Sequence, residues 1–112
     1  MANTNKIVLS GYYGFDNIGD EAVLYSIIAM LKKEIPQVQI TVLSNNPEKT
    51  ARLYQVESIN RWDMKNVAKI IKACDLLISG GGSLLQDVTS SKTIPYYLAI
   101  VKMAQFYKKK VV

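Results

Sequence analysis

A short, uninterrupted apolar run, Lys6-Ile-Val-Leu-Ser10, stops at Gly11 and gives way within ten residues to a helical pattern over residues 20–33. A run without polar alternation reads as a strand buried on both faces, as in a parallel sheet. Over 20–33 the apolar residues Val23, Leu24, Ile27, Ile28 and Leu31 recur at helical spacing, acids open the segment and Lys32-Lys33 close it, in accord with the helix dipole. A strand covered on both faces needs helices on both sides of its sheet, so this unit commits the chain to an α/β fold.

The unit recurs. Residues 38–43 are rich in β-branched side chains, and Asn45-Asn46-Pro47 breaks them before a short helix over 48–53. A weaker strand falls at 56–59. Asp63 then caps a helix with the apolar face Met64, Val67, Ile70, Ile71 and Cys74. Leu76-Leu-Ile-Ser79 is a fourth strand. Thr93 and Pro95 open a helix over 95–108, whose near-continuous apolar stretch predicts burial on much of its circumference. Lys110-Val111-Val112 begins a further strand. Strands joined by single-helix crossovers predict a right-handed, Rossmann-like doubly wound parallel sheet. Residues 1–112 read as a single domain without repeat, linker or low-complexity tract. The sequence ends as its last strand begins, which is expected of part of a longer chain.

Composition excludes several classes. With 112 residues, 49% of them hydrophobic and 21% charged, the chain can bury a core and is not expected to be disordered. The net charge of +5 is scattered, with no basic stripe interleaved with stacking aromatics, so no nucleic-acid partner is expected. Mild attraction to an anionic membrane surface or substrate remains compatible with that charge. There is no histidine, which removes the usual general base near neutral pH and the commonest metal ligand. No metal site is expected. Cys74, the one cysteine, reads as a small buried thiol. The longest apolar run, 96–101, falls far short of the roughly 18 residues a membrane span needs. No signal peptide opens the sequence, and a cytoplasmic location is expected.

Two glycine turns follow strands: Gly11-Tyr-Tyr-Gly-Phe-Asp-Asn-Ile-Gly-Asp-Glu21 and Ser79-Gly-Gly-Gly-Ser-Leu-Leu-Gln-Asp87. In open α/β sheets ligands bind beyond the carboxyl ends of the strands, where the strand order reverses, so both turns are expected at one crevice. Gly11, Gly14 and Gly19 would shape the first loop, which also carries Asn17. Gly80, Gly81 and Gly82 would shape the second, leaving backbone amides, Ser83 and Gln86 for an anionic or hydroxyl-rich ligand. The plainer reading is that the glycines only turn the chain. Spacing argues against two familiar sites. A dinucleotide fingerprint needs G-x-G-x-x-G and an acid ending the second strand, where this chain has G-x-x-G-x-x-x-x-G and Ser44-Asn45. A phosphate loop needs Lys and Ser or Thr after its last glycine, and here Asp20-Glu21 follows Gly19.

Asp20 and Glu21 bear two readings: carboxylates that complement a helix start, or groups at the crevice rim that orient sugar hydroxyls or accept a proton. Gln86 and Asp87 divide in the same way. Tyr12, Tyr13 and Phe15 can stack on a sugar or pack inward, and Tyr96 and Tyr97 read as core or lid.

At these residues, and at Ile94-Pro-Tyr-Tyr97, the chain resembles the polysaccharide pyruvyl transferase family, especially the branch acting on bacterial cell-wall polymers. The resemblance implies the N-terminal half of a double-Rossmann, glycosyltransferase B-like enzyme whose second domain is absent here. It implies transfer of pyruvyl from phosphoenolpyruvate, a donor substrate rather than a cofactor, onto two hydroxyls of one sugar as a cyclic ketal. The implied acceptor is N-acetylmannosamine of a lipid-linked precursor, with peripheral association at the inner face of the cell membrane. Asp20 and Glu21 are the candidate catalytic residues. Gly14, Asn17, Gly19, Gly80, Gly81, Gly82, Ser83 and Gln86 are the candidate substrate contacts. The groups that hold phosphoenolpyruvate in the family are expected beyond this segment, and neither Arg52 nor Arg61 sits in a glycine loop. A glycosyltransferase-like domain binding a sugar or sugar-nucleotide is the alternative.

Overall fold

The computed structural model describes residues 5–79 and 93–112. The described strands β1 (Lys6–Ser10), β2 (Gln39–Ser44), β3 (Glu57–Asn60), β4 (Leu76–Ser79) and β5 (Lys110–Val111) form one sheet, in the order β3-β2-β1-β4-β5. Every pairing is parallel. Between them run α1 (Ile18–Glu34), α2 (Pro47–Tyr54), α3 (Met64–Ala73) and α4 (Thr93–Phe106). The predicted α/β, Rossmann-like parallel sheet is what forms, and its order reverses between β1 and β4.

Alternation along the central strands sends successive side chains to opposite faces. Ile7, Leu9, Ile40 and Val42 pack with Leu24, Ile28 and Leu31 of α1. Val8, Leu43 and Leu77 pack on the other face with Val67 and Ile71 of α3 and Tyr97, Ile100 and Ala104 of α4. Each fully buried Leu or Ile contributes at most about 1.5–3 kcal/mol of apolar burial. Together these side chains clamp the sheet between its helical layers.

Helix starts are set by side-chain caps. Asn17, in an extended conformation, accepts the Asp20 N–H at 3.3 Å and starts α1 two residues earlier than periodicity predicts. Asn46 accepts the Lys49 N–H at 3.3 Å, with Pro47 in the first turn of α2. Asp63 caps α3 as expected. Cys74 is the buried residue closing α3, and burial pushes its thiol pKa up. Three expectations fail. Val23 and Met64 face outward, because helix rotation about the buried Leu24–Ile28–Leu31 and Val67–Ile71 rows carries them to the rim. α4 is one-sided rather than buried around much of its circumference: Tyr96, Tyr97, Ile100 and Ala104 meet the sheet while Leu98 and Phe106 are exposed.

Candidate functional site

Ser10 of β1 is the register partner of Ser79 of β4, so the chain leaves both strands at the same level of the carboxyl edge. After Ser10 the first glycine turn folds down onto the turn that joins β2 to α2. The Tyr13 carbonyl accepts the Asn45 N–H at 3.0 Å, and Lys49 pairs with Asp16 at 2.6 Å. The contact is close enough to require a glycine. Gly14 has φ +85°, and a Cβ there would overlap Ser44 Oγ and stand 2.7 Å from the backbone nitrogens of Asn45 and Asn46. Ser44 Oγ is itself tied to Thr50 Oγ1 at 2.7 Å and to the Asn46 N–H at 2.9 Å, so it has no room to yield.

Glu21 braces this loop. One carboxylate oxygen accepts the Gly14 N–H at 3.0 Å and the other accepts the Tyr54 hydroxyl at 2.7 Å, joining the loop, α1 and α2. Burial and the Glu21 carboxylate together raise the Tyr54 pKa. The Gly14 amide expected to stay free for a ligand is therefore occupied, and the Asn17 carboxamide is engaged as the α1 cap. Gly19 lies in the first turn of α1 rather than in the loop, with only Asn17 Oδ1, at 3.4 Å, near the position of a Cβ. Asp20 points inward and is buried, and its charge helps raise the pKa of Tyr13 and Tyr97, for which burial is the main cause. Tyr97 is pushed up to about 12.

At the end of β3 stands a residue that sequence reasoning passed over. Arg61 is 2% exposed. Its backbone N–H donates to Ser44 O at 2.9 Å, and its carbonyl accepts the Tyr96 hydroxyl at 2.6 Å. The guanidinium donates to Gly11 O at 3.4 Å and to the Tyr97 hydroxyl at 3.1 Å. Around its Cζ lie the rings of Tyr96 at 4.5 Å, Phe15 at 5.0 Å, Tyr97 at 5.2 Å, Trp62 at 5.3 Å and Tyr12 at 6.0 Å. Faces of aromatic rings attract a cation through their quadrupole, which makes this cage a fitting place for an arginine. Tyr12 and Phe15 stack on each other at 4.1 Å, while Tyr13, Tyr96 and Tyr97 are core. The available signal was position: Arg61-Trp62 follows the third strand immediately, at the sheet edge where ligands bind.

Asp20, Glu21, Gly14 and Asn17 are thus gathered with Arg61 at the carboxyl edge. Gly80, Gly81, Gly82, Ser83 and Gln86, with Asp87, lie outside the described residues. A cavity of about 640 Å³ opens at the opposite edge, at the amino ends of β1, β2 and β3, where Lys6, Gln39 and Glu57 line it together with Lys32. It is remote from the crevice, and the connectivity of a doubly wound sheet favours the carboxyl edge for ligands.

Sheet order, parallel pairing and helical crossovers define a Rossmann-like α/β domain with a polar carboxyl edge at the switch point. A phosphate-loop protein solved in solution has a similar fold, with a TM-score of 0.54 and 16% identity over 97% of this chain and 75% of that chain. No curated relative matches the sequence. The family model for polysaccharide pyruvyl transferases matches residues 17–112. The chain belongs to the polysaccharide pyruvyl transferase family, a family of transferases. No helix among the described residues is long and apolar enough to cross a membrane.

Proposed function

We propose that this chain is the acceptor-side half of an enzyme that transfers pyruvyl from phosphoenolpyruvate onto two hydroxyls of one sugar. Two sugar hydroxyl oxygens bond to the enol carbon, one hydroxyl proton goes to the methylene to make it methyl, and the bond from that carbon to the phosphate oxygen breaks, so that inorganic phosphate leaves with the second proton. The family match over residues 17–112 carries this reading, and the polar crevice edge supports it.

The reaction needs a base for the hydroxyl protons, an acid for the methylene, and cations for phosphate and carboxylate. Of the two acids in the first turn of α1, Glu21 is committed to Gly14 and Tyr54. Asp20, the other acid, is buried at the same edge near Tyr13 and Tyr97 and is the candidate for contact with sugar hydroxyls. A second domain, of the kind the family resemblance implies, supplies the donor-holding groups. The acceptor is N-acetylmannosamine on a lipid-linked cell-wall precursor, reached from the cytoplasmic face of the membrane.

Incubating the chain, alone and joined to its second domain, with phosphoenolpyruvate and an N-acetylmannosamine-terminated acceptor tests this. The two-domain protein should release phosphate and add the mass of a pyruvyl ketal, while the 112-residue chain alone should not. Phosphate release without ketal, or no product with several acceptor sugars, contradicts the reading. In that case, stabilisation by a nucleotide-sugar but not by phosphoenolpyruvate would point to a glycosyltransferase-like domain.

A further inference from the structure

The proposed reaction leaves Arg61 without a task, although its placement is costly. A guanidinium cannot lose its charge in a protein, and a buried one is normally met by a carboxylate or fully hydrogen-bonded. Here Nε has no hydrogen-bond partner among the described residues. The only side-chain ion pair among those residues is Lys49–Asp16, so no described carboxylate lies within ion-pair distance of Arg61. The rings attract the cation through their faces, and of the cage residues the Tyr97 hydroxyl accepts one guanidinium N–H, which leaves Nε without an acceptor.

A second buried group at this edge is in the same state. Ser10, adjacent in sequence to the Gly11 whose carbonyl meets the guanidinium, is fully buried, and its Oγ has no partner among the described residues. Isolated buried polar groups are uncommon because each forfeits its hydration. One kind of ligand satisfies both. An oxyanion accepts two parallel N–H bonds from an arginine fork and a further bond from a hydroxyl, and it neutralises the buried charge. Of the rings around the guanidinium, Tyr12, Phe15 and Trp62 are partly exposed, whereas Tyr96 and Tyr97 are buried.

We propose that Arg61 and Ser10 form an oxyanion-binding site at the carboxyl edge of β1 and β3, taking a carboxylate or phosphate group. This goes beyond the acceptor-side role above, because it gives this half of the enzyme an anion contact of its own. The anion can come from the donor, as the carboxylate or phosphate of phosphoenolpyruvate, or from the diphosphate of a lipid-linked acceptor.

Trp62, the one tryptophan in the chain, lies 5.3 Å from Arg61 Cζ and reports on the site. The 112-residue chain is titrated with phosphoenolpyruvate, pyruvate, inorganic phosphate and pyrophosphate, against chloride at matched ionic strength. At least one oxyanion should change Trp62 emission saturably. Tighter binding of phosphoenolpyruvate and pyruvate assigns the site to the donor, and tighter binding of pyrophosphate assigns it to the acceptor. Arg61→Lys keeps the charge but loses the fork and should weaken binding by about tenfold or more. Ser10→Ala should weaken it by a similar factor while leaving the unliganded melting temperature unchanged or raised, since it deletes an unpartnered buried hydroxyl. If Arg61→Lys does not fold, Ser10→Ala decides. No saturable response beyond that of chloride, or binding unchanged in folded Ser10→Ala, overturns the proposal. Binding is read without turnover, so failure of pyruvyl transfer would leave a positive result standing.

Discussion

At the scale of single residues, two glycines that look alike in the sequence carry opposite constraints. Gly14→Ala should destabilise the chain by about 1–3 kcal/mol or more, through its left-handed backbone and the overlap with Ser44 and the Asn45–Asn46 backbone. Gly19→Ala, in the first turn of α1 with only Asn17 Oδ1 in ordinary contact at 3.4 Å, should be neutral or stabilising by about 0.4–1 kcal/mol. Urea unfolding of the two variants checks both, and equal effects would contradict this account of the loop. The distinction was not readable from spacing, because it depends on the turn after β2 pressing against the loop after β1. Arg61 was hidden for a related reason. Its cage is assembled from residues 12, 15, 62, 96 and 97, far apart in the chain and adjacent only once the sheet has formed. Asp20 and Glu21 were visible as acids at a helix start. Only the fold separates Glu21, held by two partners, from Asp20, turned inward.

At the scale of elements, β1 and β4 lie where the apolar runs place them, and every predicted crossover among the described residues is present. What periodicity misjudged was orientation. The apolar content of α4 does not reveal which side meets the sheet, and Leu98 and Phe106 are left exposed. Helix edges moved by one or two residues where a cap decided them, as at Asn17. The Tyr54–Glu21 bond, which couples α2 to α1 and the glycine loop, is a contact between elements that no local pattern announces. Tyr54→Phe should cost about 1 kcal/mol, as expected for one partly exposed hydrogen bond to a carboxylate. The loop should loosen with it, seen as faster amide exchange at Gly14. Unchanged exchange there would mean that Glu21 holds the loop without Tyr54.

For the whole molecule, the order β3-β2-β1-β4-β5 puts a polar edge at the switch point and a pair of apolar layers behind it. The buried tyrosines of that edge give the molecule an alkaline limit. Tyr97 is raised from 10.0 to about 12, mainly by burial, and Tyr13 is raised by burial too. Below pH ~10 the folded and unfolded chains both keep these protons, so the contribution to stability is constant. Between about 10 and 12 the unfolded chain releases them while the folded chain does not, and stability falls as pH rises. Each such tyrosine adds a slope of at most about 1.4 kcal/mol per pH unit. Denaturant midpoints measured from pH 8 to 11.5 should be flat and then decline, and Tyr97→Phe should decline less steeply. A midpoint that rises above pH 10 would contradict the burial of these hydroxyls.

That the carboxyl edge, and not the cavity at the amino ends, is the binding face is tested most directly by following backbone amide resonances. The chain is titrated with phosphoenolpyruvate and with an N-acetylmannosamine-terminated acceptor. The account predicts shifts clustered at residues 11–20, 44–46 and 61. Shifts gathered instead at Lys6, Lys32, Gln39 and Glu57, which line the opposite cavity, or no shifts with either ligand, would contradict it.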